Sequence, residues 1–221
     1  MKLVIFDCDG TLVDSQHLIT ACMGEAFAAL GRPAPSREAT LSIVGLSLYE
    51  AFAVLTSPDD PHIPALIEGY KAAFQAQRLK PDNAEPLYEG AREVVDWLGG
   101  QGAVLGIATG KSQRGVRIVM THHGLFERFS TIQTADDAPS KPHPAMIAQA
   151  MAAVGATPAE TVMIGDTTYD LDMARAAGVA SIAVTWGYHA PDLLAARRPH
   201  ALITRYDQMP AALERIWAGA L

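Results

Sequence analysis

The hydrophobic positions of this chain follow two different spacings. Five short runs predict strands, and the first of them, residues 3–6, is continuous enough to be buried on both faces of a sheet. Between these runs apolar residues recur every three or four positions, which predicts helices. Such alternation is typical of a parallel sheet with helices on both faces, so we expect an α/β protein. The predicted strands are residues 3–6, 103–109, 131–134, 162–164 and 180–184, and the helices of this part lie near 90–98, 113–123, 143–154 and 169–177.

Residues 15–85 interrupt this alternation. Apolar residues at helical spacing predict a helix near 15–30, Ser47 is suited to cap a second helix, and a third is expected to begin near Pro64. The stretch 80–86 is polar and bounded by prolines, which is typical of a boundary between domains. We therefore predict a parallel-sheet core of residues 1–14 and 86–221, with an all-helical cap domain of residues 15–85 inserted after the first strand.

Composition and charge limit the partners of the chain. Of its 221 residues 49% are apolar, enough for a packed core. The net charge is −7 with no basic cluster, so no nucleic-acid partner is expected. No apolar run approaches the roughly 18–20 residues of a membrane span, so no membrane partner is expected either. Two cysteines without metal-type spacing favour the reducing cytoplasm, and a monomer and a homodimer both remain open.

Two carboxylates follow the first predicted strand directly. Leu-Val-Ile-Phe at residues 3–6 runs into Asp7, Cys8, Asp9 and Gly10. Like charges held close together raise each other's pKa and destabilise a fold, so a buried strand that ends in two acids requires a compensating cation. A hard divalent cation with oxygen ligands would provide it. An ordinary surface turn rich in Asp and Gly is the alternative at this point.

The ends of other predicted strands carry further reactive or ligand-binding groups. Thr109 and Gly110 follow the second clear strand, Lys141 precedes a helix, and residues 165–170, Gly-Asp-Thr-Thr-Tyr-Asp, follow a later strand. Ligands of open parallel sheets bind at the carboxyl ends of the strands, so we expect all of these groups, with the first two acids, at one edge. Four acids there imply a divalent ion, and Mg²⁺ with substrate phosphate fits best.

The stretch from Gly106 to Ser112 invites a rival interpretation. It nearly matches the phosphate-binding loop of nucleotide hydrolases, Gly-x-x-x-x-Gly-Lys-Ser/Thr. The spacing from Gly106 to Gly110 is one residue too short, and residues 104–108 are the predicted strand, whereas that loop must follow its strand. The rival is therefore rejected, and Lys111 is expected to be a solvated residue at the start of a helix.

The groups at the strand ends resemble the four ordered motifs of the haloacid dehalogenase superfamily. The resemblance rests on Asp-Cys-Asp-Gly-Thr-Leu at residues 7–12, the hydroxyl of Thr109, Lys141 and residues 165–170, and it extends over essentially the whole chain. The helical segment after the first strand resembles the cap of the phosphoglycolate phosphatase-like branch. This resemblance implies a Rossmann-like core, Mg²⁺ and an aspartyl-phosphate intermediate.

The resemblance also implies catalytic and substrate-binding roles. Asp7 would be the nucleophile that attacks phosphorus, and Asp9 the general acid that protonates the leaving group and later activates water. Lys141 would offset the charge of Asp7 and of the transferring phosphoryl group, and Thr109 and the backbone at Gly110 would bind phosphoryl oxygens.

A second set of implied roles concerns the metal and the cap. Asp166 would bind Mg²⁺ together with the Asp7 carboxylate and the backbone carbonyl of Asp9, and Asp170 would assist from nearby. The cap turn at Gly45 is expected to lie over the site and contact the substrate.

The predicted function is therefore that of a Mg²⁺-dependent phosphatase acting on a small phosphorylated metabolite, phosphoglycolate-like or a sugar phosphate. A phosphomutase or pyrophosphatase of the same superfamily is the alternative. The mutases carry a cap histidine where this chain has Ile19, and His17 stands two positions early, which disfavours the mutase. A non-catalytic phosphometabolite-binding protein is a further alternative, although it would not need the adjacent nucleophile and acid, Asp7 and Asp9.

Overall fold

The computed structural model describes residues 1–78, 80 and 85–219. These residues contain a six-stranded, wholly parallel sheet in the order β3-β2-β1-β4-β5-β6. The first strand in sequence is therefore central in space, with two strands on one side and three on the other. The strands are β1 (Leu3–Phe6), β2 (Val104–Thr109), β3 (Thr131–Thr134), β4 (Thr161–Gly165), β5 (Ala180–Val184) and β6 (Ala201–Ile203).

Ten α-helices lie within the described residues. Five of them lie between β1 and β2, and the last of these five leads into β2. None of the described helices combines the length and the apolar character required to cross a bilayer. The helices are α1 (Gln16–Ala29), α2 (Arg37–Ser42), α3 (Leu48–Leu55), α4 (Ile63–Arg78), α5 (Ala91–Gly100), α6 (Gln113–His122), α7 (Ala145–Val154), α8 (Thr168–Ala176), α9 (Pro191–Ala196) and α10 (Met209–Trp217).

The core lies on both faces of the sheet. Val4 and Phe6 of β1 join one apolar cluster with residues of α5, α6 and α10, and Leu3 and Ile5 join a second with residues of α7 and α8. All four side chains are fully buried, as their continuous apolar run predicts. The predicted fold class, a Rossmann-like α/β core with helices inserted after the first strand, is confirmed.

Helices α1, α3 and α4 form an apolar cluster of their own, in which Met23, Phe27, Phe52 and Leu66 are buried. No strand of the sheet comes from this part of the described chain. The division into a core of residues 1–14 and 86–221 and a cap of residues 15–85 stays a prediction, and residues 81–84 of the expected boundary lie outside the described residues.

The structure adds three elements after residue 184, where the hydrophobic pattern predicts none: α9, β6 and α10. β6 has three residues and pairs only with β5, so it is an edge strand. A run this short is below the length at which an apolar or alternating pattern can be recognised.

Candidate active site

The carboxyl ends of three neighbouring strands form one edge of the sheet. Phe6, the last residue of β1, is level with Ile164 of β4. The next residue, Asp7, donates its backbone N–H to the Ile164 carbonyl at 2.9 Å. Asp166 follows the end of β4, and Thr109 ends β2 on the other side of β1. Parallel pairing thus brings groups more than 150 residues apart in sequence to one place.

Three carboxylates meet at this edge. Asp7, Asp166 and Asp170 are fully buried, and one oxygen of each lies within 4.8 Å of the others. Burial, opposed by Lys141 and reinforced by Asp170, raises the pKa of Asp7 to about 6. Burial and the charges of Asp170 and Asp7 raise the pKa of Asp166 well above its usual range. The cluster is therefore under electrostatic strain unless positive charge is supplied.

Lys141 supplies part of that charge. Its Nζ lies 2.9 Å from Oδ1 of Asp7 and 2.6 Å from Oδ1 of Asp170. Burial disfavours the charged ammonium, but Asp170 and Asp7 outweigh it and raise the pKa of Lys141 above its usual value. The other oxygen of Asp170 accepts hydrogen bonds from the N–H and the hydroxyl of Thr167 at the start of α8. When all three acids are ionised, the one ammonium leaves two negative charges uncompensated.

Asp7 differs from the other two acids in its hydrogen bonding. Its Oδ2 has no hydrogen-bond partner among the described residues, and its Oδ1 meets only the Lys141 ammonium there, at 2.9 Å. A buried carboxylate oxygen without a hydrogen bond is unfavourable. The unpartnered oxygen, the excess negative charge and the all-oxygen donor set of Asp7, Asp166 and Asp170 together fit a hard divalent cation such as Mg²⁺.

Asp166 is fixed in place by its neighbours. Its carboxylate accepts hydrogen bonds from the hydroxyl of Thr11 at 2.8 Å and from the backbone N–H of Tyr188 at 2.9 Å. Two glycines pack directly against it: a Cβ at Gly187 would lie 2.2 Å from the Asp166 Cβ, and one at Gly10 would lie 2.3 Å from its Oδ2. Any side chain at these positions would displace the carboxylate.

Asp9 forms its ion pair with Lys111, whereas Asp7 forms its own with Lys141. Lys111 Nζ lies 2.8 Å and 3.1 Å from the two oxygens of Asp9 and 2.7 Å from Oε1 of Glu85. The one proton of the Ser15 hydroxyl is shared between Oδ1 of Asp9, the nearer acceptor, and Oε1 of Glu85. The expectation that Lys111 is solvated is wrong: its side chain is 6% exposed. Asp9 and Glu85, which come from distant parts of the chain, hold the Lys111 ammonium in the interior by their ion pairs. The metal role of the Asp9 backbone carbonyl stays a prediction.

Glu85 is the second anion of this group. Its Oε2 accepts from Nη2 of Arg78 at 2.8 Å and from Nε at 3.0 Å. Burial alone would raise its pKa, but the charges of Lys111 and Arg78 prevail and hold the pKa of Glu85 at about 2. Glu85 is thus a carboxylate at neutral pH and pairs with Arg78 as well as with Lys111, the cation beside Asp9.

Thr109 and Gly110 lie at the carboxyl end of β2, and Gly45 lies against them. Thr109 is buried, and its hydroxyl accepts from the backbone N–H of Lys111 at 3.3 Å. A Cβ at Gly110 would lie 2.7 Å from the carbonyl oxygen of Gly45 and 2.6 Å from that of Leu46. The turn at Gly45, with φ of +101°, therefore packs on the end of β2, as expected for a segment that lies over the site.

A cavity of about 740 Å³ opens between the sheet edge and the helical segment. Asp7 and Asp9 lie at its floor with Thr109, Gly110 and Lys111. Its other wall is largely apolar, and Lys71, Arg78 and Arg114 add positive charge to the lining. The apolar wall residues include Ile19, Val44, Leu46, Tyr70 and Phe74.

Residues 4–184 match the sequence model of the haloacid dehalogenase-like hydrolases. The chain belongs to this family. The family resemblance expected from the motifs is therefore confirmed, and so is the expected enzyme class, a hydrolase of the phosphatase kind.

Individual relatives of this hydrolase agree with that assignment. It is 38% identical to the probable phosphatase IndB of Dickeya dadantii, over 95% of this chain and 92% of that protein. It is 31% identical to a phosphoglycolate phosphatase of Pseudomonas putida, over 91% of this chain and 76% of that protein. The crystal structure of a predicted phosphatase from Clostridium acetobutylicum superposes with a TM-score of 0.86 at 25% identity, covering 96% of this chain and 98% of that one.

Sequence reasoning missed the residues that surround the family motifs in this hydrolase. Glu85 and Lys111 flank Asp9, and Tyr188 and Gly187 support Asp166. No local pattern points to the last two, since they follow β5 in a stretch without predicted structure. Only Thr11, another partner of Asp166, lies inside a recognised motif.

Proposed function

We propose that this hydrolase is a Mg²⁺-dependent phosphatase that hydrolyses a small phosphomonoester, phosphoglycolate-like or a sugar phosphate, through an aspartyl-phosphate on Asp7. The observation that carries the proposal is the Asp7 carboxylate, which lies at the cavity floor with Oδ1 beside the Lys141 ammonium and with Oδ2 without a hydrogen-bond partner among the described residues. A carboxylate nucleophile needs no base to activate it, only alignment and charge neutralisation.

In the first step an Asp7 oxygen attacks phosphorus. The bond from phosphorus to the ester oxygen breaks, and the leaving oxygen takes a proton from Asp9. Lys141, 2.9 Å from Asp7, offsets negative charge as the phosphoryl group transfers. Thr109 and the backbone N–H of Gly110 are suited to hold phosphoryl oxygens because both line the same cavity.

In the second step water replaces the leaving group. The Asp9 carboxylate takes a proton from water while the water oxygen attacks phosphorus, and the bond from Asp7 to phosphorus breaks. Inorganic phosphate leaves, Asp7 is regenerated, and Asp9 again carries the proton that it needs for the next first step.

The metal would be held by Asp7, Asp166 and Asp170, whose oxygens lie within 4.8 Å of one another. When bound, Mg²⁺ neutralises charge on the transferring phosphoryl oxygens and on the carboxylates. Asp166 is suited to this because the hydroxyl of Thr11 and the N–H of Tyr188 orient it.

The leaving group would occupy the cavity beneath α1 and α4. At about 740 Å³ the cavity falls within the common range for small-molecule sites, roughly 300–1,000 Å³. Ile19 lines it at the position where a mutase of the superfamily would carry histidine, so no observation favours the mutase.

The test is release of inorganic phosphate from p-nitrophenyl phosphate with Mg²⁺, followed by a panel of phosphoglycolate, glucose 6-phosphate, other alkyl phosphates and pyrophosphate. We expect turnover that EDTA abolishes, and a covalent phosphoryl group on wild-type protein that is absent from Asp7→Asn. No turnover of any phosphomonoester, or undiminished turnover by Asp7→Asn, would overturn the proposal. Turnover of pyrophosphate alone would favour the pyrophosphatase.

A further inference from the structure

The ammonium of Lys111 is directed at two carboxylates, those of Asp9 and Glu85. An ammonium has three N–H donors. Its Nζ makes three contacts, two to Asp9 at 2.8 and 3.1 Å and one to Glu85 at 2.7 Å. The three side chains are almost completely buried, with 6%, 11% and 6% of the Lys111, Asp9 and Glu85 side chains exposed. Every contact of the Lys111 ammonium with an acid of the described residues is thus to Asp9 or Glu85, although the residue lines the cavity.

The remaining oxygen of Glu85 also has a charged partner. Arg78 occupies the other oxygen of Glu85, so with Asp9 ionised two cations face two carboxylates and the group is neutral, whereas with Asp9 protonated for the first step the group carries one positive charge. The Phe74 ring lies beside both cations, with Lys111 Nζ 5.1 Å and the Arg78 guanidinium carbon 4.6 Å from its centroid. Such an arrangement fixes Lys111 without help from substrate.

The two oxygens of Asp9 are not equivalent in this setting. Oδ1 takes the hydroxyl of Ser15 and the shorter Lys111 contact, whereas Oδ2 takes only the longer Lys111 contact at 3.1 Å. The carboxyl group is therefore held in one orientation with Oδ2 the freer oxygen. Oδ2 is the atom best suited to carry the proton to a leaving group.

We propose that Lys111 and Glu85 are positioning residues that aim Oδ2 of Asp9 at the leaving-group oxygen. The inference rests on the proposed function, since it assigns a purpose to the general acid of that reaction. Glu85 holds Lys111, Lys111 holds Asp9, and neither positioning residue touches the transferring phosphoryl group.

The test compares leaving groups. An alkoxide leaving group needs a proton in the first step, whereas p-nitrophenolate leaves readily without one. Because kcat/KM reports the steps up to leaving-group departure, loss of acid positioning lowers kcat/KM for an alkyl phosphate far more than for p-nitrophenyl phosphate. We expect Lys111→Met to lower the ratio of the two kcat/KM values by about tenfold or more, a part of the roughly 10²–10⁴-fold that general acids contribute. The alkyl phosphate is the one that the wild-type protein hydrolyses fastest in the panel above.

Lys71→Met is the matched control, because Lys71 also lines the cavity but its one ion pair among the described residues is with the exposed Glu68. Its ratio is expected to stay at the wild-type value. An equal fall of kcat/KM for both substrates in Lys111→Met would mean a phosphoryl-binding role and would overturn the inference. Unchanged kcat/KM values for both substrates would also overturn it. The ratio does not depend on the fraction of folded enzyme, so partial misfolding of a variant does not obscure the result.

Glu85→Gln provides a second variant that keeps the side-chain shape. It is expected to lower the ratio in the same direction, and the double variant with Lys111→Met is expected to change it no further than Lys111→Met alone, since the residues act in series. If the two substitutions lowered the ratio by independent, multiplicative factors, Glu85 would not act through Lys111. A wild-type protein without phosphomonoester turnover would refute the proposed function itself, whereas turnover with an unaltered ratio refutes only the positioning role.

Discussion

Nζ of Lys141 lies 2.6 Å from Oδ1 of Asp170, and both side chains are completely buried. The same ammonium is the ion-pair partner of Asp7 at 2.9 Å. Lys141 is thus the one cation that contacts the acid cluster within the described residues, and its contribution to the fold and its contribution to the proposed reaction are separable by experiment.

Lys141→Met is expected to lower the unfolding free energy by about 3–5 kcal/mol, because it leaves buried carboxylates uncompensated. It should also lower kcat by roughly 10²-fold or more, since preorganised charge at the transferring group is lost. Urea denaturation and p-nitrophenyl phosphate turnover measure the two effects. Lys71→Met, with a half-exposed side chain, is the control and should leave stability nearly unchanged. A Lys141→Met protein as stable as the wild type would contradict the charge analysis.

Asp7→Asn is expected to stabilise the metal-free protein while abolishing turnover. The pKa of Asp7 is raised from 3.8 to about 6 in the fold, chiefly by burial, so the folded state binds its proton more tightly than the unfolded state. The resulting destabilisation is absent below about pH 4, grows as the pH rises towards 6, and amounts to roughly 3 kcal/mol above that, at about 1.4 kcal/mol per pKa unit. Asparagine cannot ionise, so it removes the effect.

Unfolding free energies of the two proteins in EDTA, from pH 4 to 7.5, check this prediction. The gain from Asp7→Asn should be near zero at the acid end and largest at the neutral end. Adding Mg²⁺ at neutral pH should shrink the gain, because the cation offsets the Asp7 charge in the wild-type protein only. A gain that is independent of pH would assign the effect to packing instead of ionisation.

The location of Asp7 and Asp166 was predictable from sequence because it depends on topology alone. Parallel strands end at the same edge, so residues that follow strands meet there whatever the details of packing. Asp166 directly follows the end of β4, and Asp7 directly follows β1. The hydrophobic pattern is strong enough to locate those two strands.

The location of Lys111 was not predictable in the same way. Locally it precedes Ser112, the N-cap of α6, and such positions are usually solvated. Its real environment depends on Glu85, 26 residues earlier in the chain, and on Asp9, 102 residues earlier. Where a long side chain points is decided by tertiary partners of this kind, which periodicity does not encode.

Gly187→Ala is expected to weaken metal binding. A Cβ there would lie 2.3 Å from Oδ2 of Asp166, so the carboxylate or the backbone beneath it must shift. Displacement of one proposed ligand should raise the Mg²⁺ concentration for half-maximal turnover by about tenfold, in the range found when the support of a metal ligand is disturbed. Turnover measured against Mg²⁺ concentration gives the value. Gly99→Ala, where an added Cβ meets nothing within 4 Å, is the control and should leave it unchanged.

Gly110→Ala tests whether the turn at Gly45 must approach the end of β2. The new methyl group would lie 2.6 Å from the carbonyl oxygen of Leu46, and a backbone carbonyl cannot move aside as a flexible side chain can. The turn would be pushed away from the cavity floor, and a displacement of even about 1 Å near a reacting group can lower rates up to about 10²-fold. We expect kcat/KM to fall roughly 10–100-fold for p-nitrophenyl phosphate, with a melting temperature close to that of the wild type because the turn is at the cavity and not in the core. Gly99→Ala again controls for the glycine-to-alanine change. If Gly110→Ala kept wild-type kcat/KM, the close packing of the turn on Gly110 would have no part in catalysis, and the substrate-binding role proposed for Gly45 would lose its support.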